Sequence, residues 1–402
     1  MKRRKIRKGR LMLAACVVLL LVSGTGWGIH ALFSSAKKEK VADEKETPGT
    51  EETALITATG DLLLEDGFVN TFGKGSWNDY MSDLSPWFAR DDWTLANLEV
   101  PIAGEELGLA GADYCFNAPA QTAGNLKNNS IEYVTLANNH AMDRGVEGLE
   151  KTIGHLDENG IGHTGAFLSE EDRDTVSFAN VNGIRIAIVS WTYQTNQAAD
   201  TDWRVNQFYD ASSSMIPVLM DDIARARQES DCVIVCMHWG TEFTYELNEA
   251  QTILSQQIAD AGADVIVGNH PHTIQPAAWL TGMNGNRTLC FYSLGNLISS
   301  AYMVDRADET FQDMYEVGAI AQFRLKKTKD GSVAVLDPHI IPIVNHFEGE
   351  YTNFHIYPLK EYTEELAAVH SQRQYSDLFT KQWLQDQVEG VFSGSGIPVV
   401  LE

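Results

Sequence analysis

Short apolar runs recur along the chain, and polar residues directly follow each of them. The runs are rich in Val and Ile and are shorter than ordinary helices. Such runs are typical of strands that are buried on both faces of a sheet. We therefore predict strands at 55–59, 93–96, 133–137, 184–190, 232–237, 264–267 and 288–292.

Helical patterns lie between several of these predicted strands. Apolar residues recur at the helical period in 145–159, 215–229 and 250–261, and Asn159-Gly160 is a helix stop signal. A chain in which strands alternate with helices forms βαβ units. The pattern therefore predicts an α/β fold.

Two further patterns lie near the C-terminal end. Residues 315–326 and 332–344 are extended runs, and the segment between them contains Asp330-Gly331. An Asp-Gly pair between two extended runs predicts an antiparallel hairpin. Beyond the hairpin, residues 361–388 have the periodicity of one or two amphipathic helices.

The N-terminal segment combines a basic stretch with a long apolar one. Residues 1–10 contain seven Lys or Arg, and residues 11–33 carry no formal charge. As a helix, the apolar stretch would span roughly 34 Å, which is enough to cross a bilayer. We predict a cytoplasmic basic segment at 1–10 and a transmembrane anchor at 11–33, with the main domain extracellular. The polar residues 34–52 are predicted to form a flexible stalk.

The alternative for this leader is a processed or lipidated one. The sequence LAAC at 13–16 resembles a lipoprotein processing box, yet the apolar run continues past Cys16 as far as Val22. No A-x-A cleavage site follows the run, which is also longer than the apolar core of a signal peptide. We therefore expect a retained single-pass anchor, and cleavage or lipidation at Cys16 stays the alternative.

The charge is distributed unevenly along the chain. Residues 1–50 contain 11 basic and 4 acidic side chains, whereas residues 51–402 contain 19 basic and 51 acidic ones. Binding to phosphate backbones needs clustered Lys and Arg, so the acidic body excludes nucleic acid as the main ligand. With 44% hydrophobic residues, the body is expected to bury a large core.

The polar residues that follow the strands carry the functional argument. Ligands of α/β proteins bind beyond the carboxyl ends of the strands. The residues at these ends include carboxylates, an amide and imidazoles, namely Asp61, Glu99, Asn139, His140, His238, His270 and His272. This mixture suits Mn²⁺, Fe or Zn²⁺, often as a pair, better than Ca²⁺. Two such ions can clamp a phosphoryl group and activate water.

Each of these signals is weak when it is taken alone. Gly60-Asp61 could be an ordinary turn, and Asn138 and Asn139 could cap the helix that begins near Asp143. The His-x-His pair at 270–272 is stronger, because alternate residues of an extended chain point the same way. Their combined occurrence at five strand ends favours a metal site.

Seven stretches of the chain resemble a known family. They are ATGDLLL (58–64), ANLEVPI (96–102), TLANNHAMDRG (135–145), SWTYQTNQ (190–197), MHWGTEF (237–243), VGNHPHTIQP (267–276) and FYSLGNLI (291–298). On these residues the chain resembles the CapA/PgsA family of capsule and poly-gamma-glutamate synthesis proteins. That family is similar to the calcineurin-like metallophosphoesterases. The resemblance implies a four-layer αββα sandwich at 53–358, followed by a C-terminal helical extension at 359–402.

The resemblance also implies roles for individual residues. The metal ligands would be two carboxylates, one amide oxygen and three imidazoles, namely Asp61, Glu99, Asn139, His238, His270 and His272. His140 would contact the scissile phosphate or protonate the leaving group, and Asp143 would orient its imidazole. Asn97, Tyr193, Asn196 and Glu242 would contact the substrate or hold a ligand in place.

The sequence departs from the family pattern at several positions. Leu63 stands where the superfamily's D-x-H opening has a histidine, and Glu99 stands where an aspartate is usual. Asn117 replaces the arginine of a Phe-Arg-Ala-Pro stretch, which removes a group that could grip an anion. Gln194 and Gln197 replace two glycines. These changes leave metal binding expected and weaken the expectation of turnover.

Three functions are therefore compared. The first is a membrane-anchored extracellular CapA-type protein with two divalent ions, Mn, Fe or Zn, that hydrolyses a phosphoester. The second is a catalytically weak or inactive metal-binding scaffold of a polymer-synthase or export complex. The third, a purely structural surface module, is disfavoured by the polar residues at the strand ends. The expected partners are the membrane, polymer-synthase membrane subunits, and polyglutamate or a phosphoester substrate.

Overall fold

The computed structural model describes residues 52–71, 75–112, 115–300 and 313–402. The strands are β1 Thr53–Leu62, β2 Trp93–Leu98, β3 Tyr133–Thr135, β4 Gly162–Thr164, β5 Ser177–Val181, β6 Ile184–Thr192, β7 Cys232–His238, β8 Val265–Asn269, β9 Ala277–Thr281, β10 Arg287–Phe291, β11 Asn296–Ile298, β12 Val317–Lys327, β13 Val333–Glu348 and β14 Thr352–Pro358. The helices are α1 Asp66–Thr71, α2 Ser85–Phe88, α3 Thr122–Asn128, α4 Gly145–Asn159, α5 Glu170–Asp174, α6 Ile216–Glu229, α7 Glu249–Ala261, α8 Glu364–Val369 and α9 Lys381–Phe392.

The strands form two sheets, and both are parallel at their centres. The first sheet has the order β14-β13-β12-β1-β2-β3-β4, and β11 pairs with β1 beside this path. Strands β1 to β4 run parallel, while β12, β13 and β14 continue the sheet in antiparallel fashion. The second sheet has the order β5-β6-β7-β8-β10-β9, with antiparallel edge strands. The predicted α/β class is confirmed.

Three apolar clusters separate four layers. On β6, Ile186 and Ile188 lie in the cluster between the sheets, whereas Ala187 and Val189 lie in the cluster covered by α6 and α7. Successive strand residues point to opposite faces, so a continuous apolar run can supply both clusters at once. A third cluster lies between α3, α4 and the outer face of the first sheet. The layers therefore follow the expected order of helix, sheet, sheet and helix.

The elements that the sequence predicted from strong patterns are present. Helix α4 has the predicted bounds, and the predicted hairpin is β12–β13. Strands β4, β5, β9, β11 and β14 were not predicted. In β5, the partly exposed edge position does not give a continuous apolar run. The C-terminal pattern forms α8 and α9, which pack on the cluster between the sheets.

One close backbone contact brings β1 and the start of β11 together at the sheet edge where Asp61 lies. A Cβ atom on Gly60 would lie 2.0 Å from the carbonyl oxygen of Gly295, which is too close for any other residue. The contact lets the backbone N–H of Asp61 donate to that same oxygen at 2.9 Å. It also sets Asp61 beside Asn296 in the β1–β11 register.

The predicted basic segment at 1–10 and the anchor at 11–33 lie outside the described residues, as does nearly all of the stalk. In the part of the chain that the structure describes, no helix combines the length and the apolar character that a membrane crossing requires. The anchor therefore stays a prediction from the sequence.

Candidate metal centre

The carboxyl ends of both sheets meet at one place. In the first sheet, Asp61 near the end of β1 lies beside Asn97 of β2. In the second sheet, His238 at the end of β7 lies beside Asn269 at the end of β8. The two sheets are in direct contact here, because the Nδ2 atom of Asn97 lies 3.2 Å from the Nδ1 atom of His238.

Two groups of potential ligand atoms share Glu99. The first group comprises Glu99, His238 and His270, and the second comprises Asp61, Glu99 and His272. Within each group the ligand atoms lie within 4.8 Å of one another. Oε1 of Glu99 is 3.4 Å from Nε2 of His238 and 3.5 Å from Nε2 of His272. The Glu99 carboxylate thus stands between the two groups.

Two further predicted residues complete this cluster. Oδ1 of Asn139 lies 2.8 Å from Nε2 of His238, so the amide oxygen joins the first group. Glu242 forms a third group with His270 and His272. Glu242 is only partly buried, whereas the two histidines are buried, so its carboxylate lies on the solvent side.

The buried atoms of the cluster fit a metal ion. Glu99 is 0% exposed, and within the described residues neither of its carboxylate oxygens accepts a hydrogen bond. The buried Nδ1 atom of His270 is likewise without a hydrogen-bond partner there. Burying an unpaired carboxylate is costly, and a cation bound to it removes that cost. A mixed oxygen and nitrogen set matches the preference of Mn, Fe and Zn.

Burial favours the neutral form of two of the candidate imidazole ligands, His238 and His270. Burial lowers the pKa of His238 to about 3. Burial also lowers the pKa of His270 well below its usual range. Burial, followed by the nearby carboxylate of Asp61, raises the pKa of Glu99 well above its usual range. Both histidines are therefore neutral near pH 7, which is the form that ligates metals.

The loop after β8 holds its two histidines in an unusual backbone conformation. His270 has a φ of 99° and His272 a φ of 56°, a region that non-glycine residues seldom adopt. The backbone N–H of His270 donates to Oδ2 of Asp61 at 3.0 Å, and that of Phe243 donates to the carbonyl of Pro271 at 2.8 Å. Strain of this kind persists where the surroundings fix it, and it is common at functional sites.

The side chain of Asn97 contacts two of the candidate ligands. Its Nδ2 atom donates to Oδ1 of Asp61 at 2.7 Å, and its Oδ1 atom accepts from the hydroxyl of Thr135 at 3.0 Å. Together with the contact to His238, these bonds occupy both ends of the Asn97 amide. The Asn97 side chain therefore contacts two candidate ligands, Asp61 and His238, and the hydroxyl of Thr135. Its role as a substrate contact stays a prediction.

Asn296 was given no role by the sequence. Its Oδ1 atom lies 3.0 Å from Nδ1 of His272, and the side chain is fully buried. Such an outer partner fixes the orientation of an imidazole ligand. The signal was present, because Asn296 follows the apolar run of β10 just as the other site residues follow theirs.

His140 and Asp143 form a buried pair beside the ligands. Nδ1 of His140 lies 2.7 Å from Oδ2 of Asp143, which also accepts from the backbone N–H of Phe116 at 2.7 Å. The Phe116 ring packs edge-on against the imidazole, with centroids 4.6 Å apart. The imidazole is thus fixed at Nδ1, and its Nε2 atom is left for another partner.

The alternative that Asn138 and Asn139 cap the following helix is wrong. Helix α4 begins at Gly145, and Arg144 at its N-cap makes no side-chain capping bond. Oδ1 of Asn138 instead accepts from the backbone N–H of His140 at 3.1 Å. The side chain of Asn139 is directed to His238, as described above.

The two remaining predicted residues lie on the loop after β6. The ring of Tyr193 is 4.6 Å from that of His270, so it forms a wall of the cluster. Asn196 is exposed, and its backbone N–H donates to the carbonyl of Asn139 at 2.7 Å. The structure thus brings Tyr193 to the ligands, whereas Asn196 reaches them through its backbone. Their roles as substrate contacts stay predictions.

Comparison with known proteins identifies a family. The family model described as "Bacterial capsule synthesis protein PGA_cap" matches residues 55–301. The PGA biosynthesis protein CapA of Bacillus subtilis (strain 168) is 28% identical over 306 residues, which cover 72% of this chain and 76% of that protein. The capsule biosynthesis protein CapA of Bacillus anthracis is 28% identical over 304 residues, which cover 73% and 67%.

Two solved structures are similar at a lower level. The NAD nucleotidase of Haemophilus influenzae has a TM-score of 0.42 and 14% identity, covering 87% of this chain and 64% of that one. A putative 5'-nucleotidase from Staphylococcus aureus has a TM-score of 0.44 and 12% identity, covering 84% and 58%. This chain spans less than two thirds of either. Because both TM-scores are below 0.5, the fold assignment rests on the chain's own two sheets.

Proposed function

This chain belongs to the bacterial capsule synthesis family PGA_cap, and from that membership we propose that it acts in capsule or poly-gamma-glutamate biosynthesis. The names of the two CapA relatives support this role. The family alone does not specify a reaction, so the chemistry has to come from the site.

At that site, the chain acts as a metal-dependent phosphoester hydrolase with two divalent ions. The observation that carries this proposal is the position of Glu99 within two donor groups. Glu99 would therefore be within reach of both ions. Asp61 and His272 would complete one ion's set, while Asn139, His238 and His270 would complete the other.

Asp143, His140 and Tyr193 have separate roles in the proposed reaction. When bound, divalent ions supply Lewis-acid polarisation of a phosphoryl oxygen. Asp143 accepts the Nδ1 hydrogen of His140 and so holds the imidazole in one orientation. In its doubly protonated form, His140 would donate its Nε2 proton to the leaving-group oxygen as the phosphorus–oxygen bond breaks, and it would keep its Nδ1 hydrogen bond to Asp143. Tyr193 covers one side of the cluster and helps to exclude water.

A second function, a weakly catalytic scaffold of a polymer synthase, has an observation of its own. Asn117 stands at the position of the family's arginine, and its side chain is committed to the backbone. Its Nδ2 atom donates to the carbonyls of Gly104 and Gly108, and its Oδ1 atom accepts from the backbone N–H of Ala103. The position therefore offers no positive charge to a phosphate.

The location and the partners complete the proposal. We place the protein in the cell membrane as a single-pass protein, with the main domain outside. Residues 1–33 support this placement through their basic and apolar pattern. Membrane subunits of a polymer synthase are the proposed partners, because the product polymer would emerge on the same side as the metal centre.

Metal analysis combined with a screen of phosphomonoesters and phosphodiesters tests the function. We expect the purified protein to hold Mn, Fe or Zn and to hydrolyse at least one substrate until a chelator is added. Glu99→Ala should lose both ions, whereas Glu106→Ala, at an exposed ion pair with Lys151, should keep them. Metal without hydrolysis would favour the scaffold. Absence of both bound metal and any thermal shift with Mn²⁺ or Zn²⁺ would contradict both functions.

A further inference from the structure

A cavity of about 550 Å³ opens on the loop after β6. Its lining is mostly amide and hydroxyl side chains, including Gln194, Thr195, Asn196 and Gln207. Asp202 is the one charged residue in this lining. The cavity therefore presents hydrogen-bonding groups without a strong charge of its own.

Backbone bonds attach the cavity walls to the metal centre. The N–H of Asn196 donates to the carbonyl of Asn139, and the N–H of Tyr209 donates to the carbonyl of Tyr193, each at 2.7 Å. Asn139 is a proposed ligand, and the ring of Tyr193 lies against His270. These bonds link the cavity walls to residues of the candidate metal centre.

Tyr209 presents an aromatic ring to the cavity. It is 59% exposed, so burial of the ring contributes little to folding. Its φ is 64°, a left-handed conformation that disfavours a bulky side chain. An exposed ring kept at a strained position is better explained by a ligand contact than by packing.

Gln207 provides a second oriented group. Its Oε1 atom accepts from the backbone N–H of Thr195 at 3.0 Å and from the Thr195 hydroxyl at 3.2 Å. These two bonds fix the plane of the amide. In the described structure the NH₂ group of Gln207 has no acceptor, so it is a donor available to a ligand.

The acidic lining of the neighbouring cavity indicates which ligand charge this region tolerates. This cavity of about 870 Å³ shares Thr201, Asp202 and Met215 with the first one. Its other lining residues include four carboxylates, Glu170, Asp174, Asp200 and Asp221. Its two arginines are both bound to the carboxylate of Asp222. An anionic chain would be repelled here, whereas a neutral one would not.

We propose that the Tyr209 cavity binds a neutral glycan portion of the substrate. The apolar face of a sugar ring stacks on Tyr209, and its hydroxyl groups bond to the amides of Gln194, Asn196 and Gln207. The inference rests on the proposed function, because it names the substrate class of the same site. The reacting phosphoester is then attached to a saccharide rather than to a polyglutamate chain.

Binding of maltotetraose, cellotetraose and tetra-N-acetylchitotetraose to the full chain tests this proposal. We expect at least one of them to bind, as measured by saturation-transfer NMR and calorimetry. Tyr209→Gly should weaken that binding roughly tenfold, because the ring is lost while the left-handed backbone is relieved. Tyr209→Phe should keep most of the affinity, and Tyr375→Ala, which removes a 39% exposed ring elsewhere, should change nothing.

Two further measurements separate this proposal from the hydrolase proposal. Glycan binding should survive treatment with chelator, because none of the named contacts is a metal ligand, and poly-gamma-glutamate should not compete for it. The proposal is overturned if none of the three oligosaccharides binds, if Tyr209→Gly leaves their affinity unchanged, or if polyglutamate competes. A failure to hydrolyse phosphoesters would leave the binding result intact.

Discussion

A single carboxylate, Glu99, contacts both halves of the proposed metal centre. It follows β2, and it reaches His238 of the second sheet and His272 beyond β8 at almost equal distances, 3.4 and 3.5 Å. Glu99 stands where an aspartate is usual in the calcineurin-like superfamily, and its extra methylene lengthens the reach from the strand end. The substitution is therefore compatible with a shared ligand.

His140 is proposed to act in the reaction without binding the metal, so its removal distinguishes the two roles of the site. Removing a positioned general acid typically lowers the rate roughly 10²–10⁴-fold. We expect His140→Ala to lower kcat by this amount while the metal content stays unchanged. Steady-state kinetics and metal analysis of the same preparation measure the two effects.

A matched variant controls for the loss of a histidine. His163 pairs with Asp157 at 3.1 Å and belongs to none of the candidate donor groups. His163→Ala should therefore leave kcat unaltered. Wild-type turnover in His140→Ala would remove His140 from the proposed mechanism.

At the scale of elements, the C-terminal helices dock through a buried histidine cluster. Nε2 of His370 lies 3.0 Å from the carbonyl oxygen of Asn345, and its Nδ1 atom accepts from the backbone N–H of Gln372. The imidazole stacks on Phe379, and the ring of His346 lies 5.2 Å away. The segment between α8 and α9 is thus attached to β13 through a neutral imidazole.

This arrangement predicts acid sensitivity. Burial, with His346 nearby, lowers the pKa of His370 from 6.5 to about 3. The unfolded chain therefore takes up the proton first, and the stability that neutral His370 contributes is lost as the pH falls from 6.5 towards 3. The loss is about 2 kcal/mol at pH 5. Urea unfolding of wild type and His370→Gln at pH 7 and pH 5 measures it.

The difference in stability between the wild type and His370→Gln isolates the contribution of the His370 imidazole. The metal-site histidines titrate in both, so their contribution cancels. The stability advantage of the wild type over His370→Gln should shrink by about 2 kcal/mol between pH 7 and pH 5. An advantage that does not change with pH would show that His370 does not govern this sensitivity.

At the scale of the whole molecule, charge limits what the protein can bind. The formal net charge is −25, and residues 51–402 contain 51 acidic against 19 basic side chains. A polyanion is repelled once it comes within the screening length of such a body, which is about 8 Å at physiological salt. Contact with polyglutamate would therefore be confined to the metal-centred cleft.

Chelation tests this confinement. If polyglutamate binds, removing the metal should abolish the binding. The reason is that the bound cations supply the attraction for a polyanion in an otherwise acidic cleft. A polymer titration followed by light scattering, with and without EDTA, measures the effect. Adding back Mn²⁺ or Zn²⁺ should restore the binding. Polymer binding that is unchanged by the chelator would contradict the prediction that polyglutamate contacts only the metal-centred cleft.

Much of this protein was predictable from local patterns. The helix bounds of α4 and the β12–β13 hairpin followed from periodicity and turn residues, which act over a few positions. Asp61, Glu99 and the histidines were found because apolar runs end just before them. Strand β5 was missed because its exposure at the sheet edge weakens the apolar run. Asn296 was missed because its importance depends on His272, which lies 24 positions earlier.

The sequence by itself determined the α/β class, the chemical types of the site residues and their place after the strands, since these depend on local order. Only the tertiary structure decided that Glu99 lies between two donor groups, that Asn97 faces candidate ligands, and that the ring of Tyr193 packs against His270. Those relations join residues of different sheets and loops. They arise because the packing of two twisted sheets, and not any spacing along the chain, fixes the distances between strand ends.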